Sequence, residues 1–198
     1  MAEILNDAEF YKEYEIIRGE KFMAPAANLD HSNIISRIHF CFVKYFLEHK
    51  SGYVFCDDVD VHFSDGTLFK PDLCVVLKSN EKILASRKAI YGAPDMVVEV
   101  LSHSTRKKDL TIKKDVYEAQ GVREYWIIDP RAKSVTVYLL REGKYFLDDE
   151  YILFDEADIE EAEWLKSKGE AVEVKQEIPV SIAEGLTIPL EFVFSWGY

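Results

Sequence analysis

The chain of 198 residues lacks the features of a membrane-spanning, exported or disulfide-stapled protein. It contains no apolar run approaching the roughly 20 residues that a helix needs to cross a bilayer. Its first fifteen residues are acidic and have neither the cationic start nor the apolar core of an export signal. The three cysteines form no CxxC pair, which favours reduced thiols. We therefore expect a cytoplasmic protein.

Phosphate-binding glycine motifs and an excess of positive charge are also missing. The absence of GxGxxG and GxxxxGK argues against a nucleotide-binding fold. A net charge of -12 argues against a strongly basic nucleic-acid binder. The acidity is local, however, because residues 148–163 hold nine acids and no base, whereas 103–114 hold five bases and one acid. A solvated face is the ordinary explanation of either run.

The overall amino-acid composition is typical of a compact globular protein. Hydrophobic residues make up 48% of the chain and aromatic residues 13%, enough for one good core at this length. The sequence contains no repeat and no low-complexity linker. We expect one domain over residues 1–198, with an acidic insertion at about 148–168.

The stretch 94–130 carries the first functional signal. Met96–Leu101 and Glu124–Ile128 are apolar runs typical of covered, central strands, and an amphipathic helix over about Asp109–Gln120 separates them. Glu99 lies inside the first run. An ionised carboxylate in apolar surroundings requires a metal, a cation or a proton beside it. Glu99 is therefore a candidate functional residue.

The helix contains a second mismatch, at Lys113. At about 100° per residue, Lys113 falls on the apolar half of the helix while Lys114 points to water. The apolar half is formed by Leu110, Ile112, Val116, Tyr117 and Ala119. An inward ammonium on the helix that follows the strand of an inward carboxylate predicts that Lys113 and Glu99 meet. A structural salt bridge and a functional pair are both compatible with this pattern.

Regular elements are expected on both sides of this stretch. A helix over His31–Leu47 is predicted with Asp30 as its N-cap. A strand from Gly52 to a Ser64-Asp65-Gly66 turn is predicted to pair with a strand that carries Pro71. Asp72 comes immediately before the buried part of this second strand. Further predictions are a helix at Asn6–Tyr11, a hairpin turning at Arg18-Gly19, a short helical piece in 78–93, a hairpin at Glu142-Gly143, and helices at Asp158–Lys168 and Pro189–Phe194.

Together, several motifs resemble a known family. KPDLCVV, MVVEVLSHST and KDLTIKKDVYEAQGVREYWIIDP, with an N-terminal GE followed by the helix-opening His31, are similar to the Uma-two family of restriction-endonuclease-like proteins in the PD-(D/E)XK superfamily. The similarity runs from about Tyr14 to Trp196. It implies an α/β (α+β) fold in which a mixed central sheet is flanked by helices, with an αβββαβ core.

The resemblance also implies site residues. Asp72 takes the place of the Pro-Asp aspartate and Glu99 that of the (D/E) residue. The pattern departs from the superfamily at Leu101, where a lysine is expected. In this family the lysine is expected on the following helix, where Lys113 occupies the matching place. The accessory candidates are Glu20, His31 and Tyr117.

The implied activity is hydrolysis of DNA phosphodiester bonds with Mg²⁺ or Mn²⁺. The metal ligands would be Asp72, Glu99 and the Val100 carbonyl, a set that suits a hard cation. Lys113 would orient the attacking water or stabilise the phosphorane. The residues expected to contact backbone phosphates are Arg106, Lys107 and Lys108. A homodimer on duplex DNA is a further expectation.

Two other functions remain open at this point. One is a catalytically inactive relative that serves as a binding or assembly module, which the acidic excess favours. The other treats Asp72 and Glu99 as the acid and base of a glycosidase, which the inward lysine and the basic turn disfavour.

Overall fold

The computed structural model describes residues 14–17, 19–23, 28–56, 59–102, 106–170 and 172–196. The helix expected at Asn6–Tyr11 lies outside these ranges. Within them, every helix is too short or too polar to cross a membrane.

Thirteen strands and four helices are labelled here in chain order within the described ranges. The elements are β1 (Tyr14–Ile17), β2 (Glu20–Met23), α1 (Leu29–His49), β3 (Gly52–Cys56), β4 (Val61–His62), β5 (Leu68–Phe69), β6 (Leu73–Leu77), a 3₁₀ helix (Lys78–Leu84), β7 (Ile90–Tyr91), β8 (Met96–Val100), α2, β9 (Glu124–Asp129), β10 (Ser134–Arg141), β11 (Lys144–Ile152), α3 (Glu156–Ser167), β12 (Glu177–Pro179), β13 (Thr187–Pro189) and α4 (Leu190–Phe194). Helix α2 consists of Arg106–Lys108, a π-helical turn at Asp109–Lys113 and Lys114–Gln120, without a break.

The central sheet has six strands in the order β11-β10-β9-β8-β6-β3. β8 and β9 are parallel, and every other neighbouring pair is antiparallel. All five residues of β8 are buried, as its apolar sequence predicts for a covered, central strand. With α1 and α2, the strands β3, β6, β8 and β9 form the expected αβββαβ core. The predicted fold class is therefore confirmed.

A smaller sheet, in the order β2-β1-β5-β4-β7, corrects one sequence prediction. The segment from Gly52 to the Ser64-Asp65-Gly66 turn is not one strand. Its first part, β3, pairs with β6 in the central sheet, and its second part, β4, pairs with β5 in the smaller sheet. Pro71 lies between β5 and β6, where its missing donor favours an interruption of the ladder.

Two hydrophobic cores cover the two faces of the central sheet. Helix α1 and the C-terminal elements β12, β13 and α4 pack on one face, against side chains such as Val98 and Val100. Helix α2 and the smaller sheet pack on the other face, against Val97 and Tyr125. Because side chains alternate along a strand, Glu99 shares the second face with Val97.

The N-terminus of α1 differs from the prediction. Its N-cap is Asn28, whose side-chain oxygen accepts a hydrogen bond from the backbone N–H of His31 at 2.9 Å. Asp30 lies in the first turn and accepts from Trp196 Nε1 at 3.1 Å. Asp30 therefore ties the helix to the C-terminal segment instead of capping it.

Helix α2 begins earlier than predicted, and its apolar face is narrower. Leu110 and Ile112 are 40% and 38% exposed, although the wheel placed them in the apolar half. Asp109 and Lys113 occupy the centre of the buried face, so Leu110 and Ile112 lie at its margins. The three basic residues at 106–108 consequently form the first helical turn and not a loop.

The acidic insertion forms regular structure. Its first part completes β11 and the rest forms α3, which begins two residues before the predicted start. The N-cap is Asp155, and Asp158 completes a capping box with it. Carboxylates at these positions accept hydrogen bonds from backbone N–H groups, and they interact favourably with the positive, N-terminal end of the helix dipole.

Candidate active site

The register of the central sheet places Asp72 beside Glu99. In the antiparallel pair of β6 and β8, Leu73 is opposite Val98. Continuing that register by one residue sets Asp72 opposite Glu99, and directly opposite side chains of an antiparallel pair share one face. Two carboxylates that are 27 positions apart in the sequence thus meet at one end of the sheet.

Helix α2 brings Lys113 and Tyr117 to the carboxylate of Glu99. Lys113 Nζ lies 2.9 Å from Glu99 Oε1, and the Tyr117 hydroxyl donates to the same oxygen at 2.7 Å. Asp109 Oδ1 is 3.5 Å from the same ammonium. Residues four apart lie on one face of a helix, so Asp109, Lys113 and Tyr117 form a single inward-facing row.

Glu15 of β1 is a second partner of Lys113 that sequence reasoning missed. Its Oε1 lies 2.8 Å from Lys113 Nζ, and its Oε2 is bound by Lys108. The side chains of Glu15 and Lys113 are 3% and 4% exposed. The sequence does not reveal this side, because Ile16 and Ile17 are both apolar and alternation alone does not show which of them faces inward.

Asp72 is held by groups from two other elements. The backbone N–H of Val100 donates to Asp72 Oδ2 at 2.7 Å, and His31 Nε2 lies 3.0 Å from the same oxygen. The Asp72 side chain is 23% exposed, whereas that of Glu99 is 3% exposed. Asp72 therefore lies at the solvent-facing edge of the cluster and Glu99 at its buried end.

The cluster has more acids than bases. Its carboxylates belong to Glu15, Asp72, Glu99 and Asp109, and its ammonium groups to Lys108 and Lys113. These described side chains include more carboxylates than ammonium groups, and the imidazole of His31 also contacts Asp72. Buried charge without a counter-charge is unfavourable, so this arrangement favours an additional cation or a proton.

The pKa shifts of the cluster follow from burial and this excess. Burial raises the pKa of Glu99 well above its ordinary value, against the opposing effect of Lys113, and the neighbouring carboxylates add to the rise. Burial lowers the pKa of Lys113, but Glu99, Glu15 and Asp109 outweigh it, so the net shift is upward. Burial also acts to raise the pKa of Glu15, yet Lys113 and Lys108 lower it overall. Lys113 is thus held as a cation.

The donor set fits Mg²⁺ in type and number. Mg²⁺ is commonly bound by one or two carboxylates and keeps several waters. In the contacts above, Asp72 accepts hydrogen bonds through Oδ2, and Glu99 contacts Lys113 through Oε1. The described residues contain no group of three or more His, Cys, Asp or Glu side chains arranged to hold a metal. Asp72 and Glu99 are adjacent carboxylates of the type that a hydrated divalent ion prefers.

The remaining predicted site residues lie around this cluster. Glu20 is exposed at the start of β2, and the structure does not bring it into the cluster. Arg106 forms an ion pair with Asp129, and Lys107 is exposed. Val100 contributes its N–H to the cluster through Asp72. Thus Lys108, one of the three predicted phosphate contacts, is used within the protein.

Comparisons with known proteins agree with this architecture. The chain is similar to the crystal structure of a putative nuclease belonging to DUF820 from Anabaena variabilis, with a TM-score of 0.68 and 22% identity over 92% of this chain and 90% of that one. No curated protein matches the sequence. The family model of Uma2, described as a putative restriction endonuclease, matches residues 7–166. The chain therefore belongs to the Uma2 family.

Proposed function

We propose that the protein is a metal-dependent endonuclease that hydrolyses DNA phosphodiester bonds. The observation that carries the proposal is the convergence of Asp72, Glu99 and Lys113 at one end of the central sheet. The acidic character of the described cluster supports it, because a divalent cation would be attracted to adjacent carboxylates. The nuclease descriptions attached to the family and to the similar structure support the same activity.

Asp72 and Glu99 would hold Mg²⁺ or Mn²⁺, with the Val100 carbonyl as a further ligand. When bound, the ion would lower the pKa of a coordinated water and neutralise charge on the scissile phosphate. Tyr117 and Lys113 hold Glu99 Oε1 from the helix side, which fixes the direction of the carboxylate. Asp72 is fixed by the Val100 N–H and His31.

Lys113 acts in this proposal as a fixed positive charge. Its raised pKa favours the ammonium form, which suits stabilisation of a developing phosphate charge and not proton abstraction. Glu15 is a second carboxylate that holds the ammonium, with its Oε1 at 2.8 Å. Among the predicted phosphate contacts, Lys107 at the exposed start of α2 fits that role better than the internally paired Lys108.

The test is nicking of supercoiled plasmid by purified protein with Mg²⁺ or Mn²⁺. Glu99→Gln and Asp72→Asn preserve side-chain shape and should remove nicking, and Lys113→Ala should do the same. Lys114→Ala is the matched control, since it removes the adjacent lysine, and it should retain activity. Unchanged nicking in Glu99→Gln, with EDTA-sensitive activity in the parent, would show that another site cuts the DNA.

A second candidate is an inactive member of the fold that binds a partner without turnover. The burial of Glu99 and the complete engagement of Lys113 by carboxylates favour it, because such a network also functions as a structural ion cluster. The two functions differ in metal binding and in nicking. Folded protein that binds Mn²⁺ weakly and nicks no faster than its Asp72→Asn variant would favour the inactive module.

A further inference from the structure

A groove of about 680 Å³ lies beside the edge strand β3, away from the carboxylate cluster. Its floor is apolar and includes Tyr53, Phe55 and Ile90, and its rim includes Arg87 and Lys88. This volume is within the range of ordinary small-molecule sites, about 300–1,000 Å³. The groove therefore has room for one or two nucleotides.

Two aromatic rings form one wall of the groove. Tyr53 and Phe55 are two residues apart on β3 and so lie on one face, with ring centroids 6.5 Å apart and planes inclined by 21°. The Tyr53 side chain is 40% exposed, and its hydroxyl donates to Glu81 Oε2 at 3.1 Å. An exposed, oriented aromatic ring is the usual platform on which nucleic-acid bases stack.

The rim of the groove is basic in a protein that is otherwise acidic. Among the described residues, the charged side chains that line the groove are Arg87, Lys88 and Glu81. Glu81 accepts the hydrogen bond of Tyr53, so the groove has a net positive rim, whereas the whole chain has a net charge of -12. Cationic side chains beside stacking aromatics are the combination that binds single-stranded nucleic acid, because the cations contact phosphates while the rings contact bases.

The groove opens on the same face of the central sheet as Glu99. Phe55 is opposite Cys74 on β6, and Cys74 is opposite Val97 on β8, all on the face covered by α2. Glu99 lies two residues beyond Val97 and two strands from β3. Standard strand spacings put its backbone about 12 Å from that of Phe55. One DNA strand is therefore long enough to span the groove and the cluster, which it would reach at the partly exposed side chain of Asp72.

We propose that this groove binds unpaired nucleotides of the DNA strand next to the bond that is cut. The proposal rests on the nuclease function and adds a substrate class to it, namely DNA with an unpaired stretch. The charge of the rim favours this occupant over an apolar peptide.

The test measures binding of fluorescein-labelled dT12 by fluorescence anisotropy. The protein is the Glu99→Gln variant in EDTA, so that neither cleavage nor metal affects the result. Tyr53→Ala should weaken binding about tenfold, the effect of losing one stacked base. Tyr53→Phe keeps the ring and loses only the hydroxyl, so it should bind like the parent. Equal affinities for all three proteins would overturn the proposal.

A charge variant and its matched control test the rim. Arg87 and Lys133 both have left-handed backbones, with φ of 52° and 48°, which asparagine tolerates well. Arg87→Asn should weaken dT12 binding and reduce the slope of log affinity against log salt by about 0.7, whereas Lys133→Asn should change neither. Equal effects of the two substitutions would mean that the affinity depends on total charge and not on the groove.

Failure of this proposal is distinguishable from failure of the nuclease function. If the wild-type protein nicks plasmid but Tyr53→Ala binds dT12 as tightly as its parent, the nuclease function is supported and the groove proposal is wrong. Groove-dependent dT12 binding without nicking would leave the groove as a nucleic-acid site and overturn the nuclease. Sedimentation at several protein concentrations identifies the remaining case: self-association that Tyr53→Ala abolishes would assign the groove to a second copy.

Discussion

Lys113 Nζ lies 2.9 Å from Glu99 Oε1, and the two side chains are only 4% and 3% exposed. The pair joins α2 to the central strand β8. Removing one member of such a buried pair leaves the other charge without compensation, which is more damaging than losing the attraction itself. The site and the stability of the fold therefore depend on the same contact.

Replacing Lys113 should destabilise the protein far more than replacing its neighbour. Lys113→Met leaves Glu99 and Glu15 without their shared cation, and we expect a loss of about 3–5 kcal/mol in the free energy of unfolding. Lys114 lies over the Tyr138 ring, 4.4 Å from its centroid, a contact worth about 0.5–1 kcal/mol at exposed sites. Urea unfolding of Lys113→Met and Lys114→Met measures the difference in the free energy of unfolding. Similar losses would contradict the assignment of Lys113 as the buried cation.

The hydroxyl of Tyr117 tests whether Glu99 is ionised. Tyr117→Phe removes a hydrogen bond to a carboxylate, and about 1.5–3 kcal/mol of stability should be lost if that carboxylate is charged. Tyr125→Phe is the control, because Tyr125 donates to the backbone carbonyl of Asp109 at 3.1 Å and should cost about 0.5–1.5 kcal/mol. Equal losses in thermal or urea unfolding would indicate that Glu99 is protonated.

Part of this site could be read from the sequence. An acid within the apolar run of β8 predicted that Glu99 is buried, and helical periodicity selected Lys113 over Lys114 for the inward face. Both inferences used residues within one strand–helix unit, where local geometry determines direction. The structure joins the two at 2.9 Å.

The contribution of Glu15 could not be read in the same way. It is 98 residues before Lys113, and β1 reaches the cluster only because it pairs with β5 in the smaller sheet. The division of the segment after Gly52 between two sheets was missed for a related reason. Alternation shows that a segment is extended, but it does not show which strand is its partner.

The stabilising contribution of Glu15 should be lost in acid. Its pKa in the folded protein is lowered by Lys113 and Lys108, so its stabilising contribution is present above the unfolded value of 4.5 and is lost as the pH falls through the folded pKa. Glu15→Gln should therefore differ most from wild type at pH 7 and approach it as the pH falls well below 4.5. Urea unfolding at a series of pH values measures this difference.

Glu20→Gln is the control for the Glu15 experiment, since it changes an exposed glutamate of the same hairpin. Its difference from wild type should stay small at every pH. A Glu15→Gln difference that is constant with pH, or that grows in acid, would contradict the pairing of Glu15 with the two lysines.

Mn²⁺ calorimetry should separate the metal ligands from the rest of the acidic cluster. Asp72→Asn and Glu99→Gln each remove a proposed ligand charge, and each should weaken Mn²⁺ binding at least about tenfold, or about 1.4 kcal/mol. Glu15→Gln removes the same charge from the same cluster, but Glu15 is bonded to Lys113 and Lys108, on the helix side. It should therefore keep an affinity close to wild type. Equal weakening by all three substitutions would mean that Mn²⁺ responds to the total negative charge, and Asp72 and Glu99 would then lose their assignment as ligands.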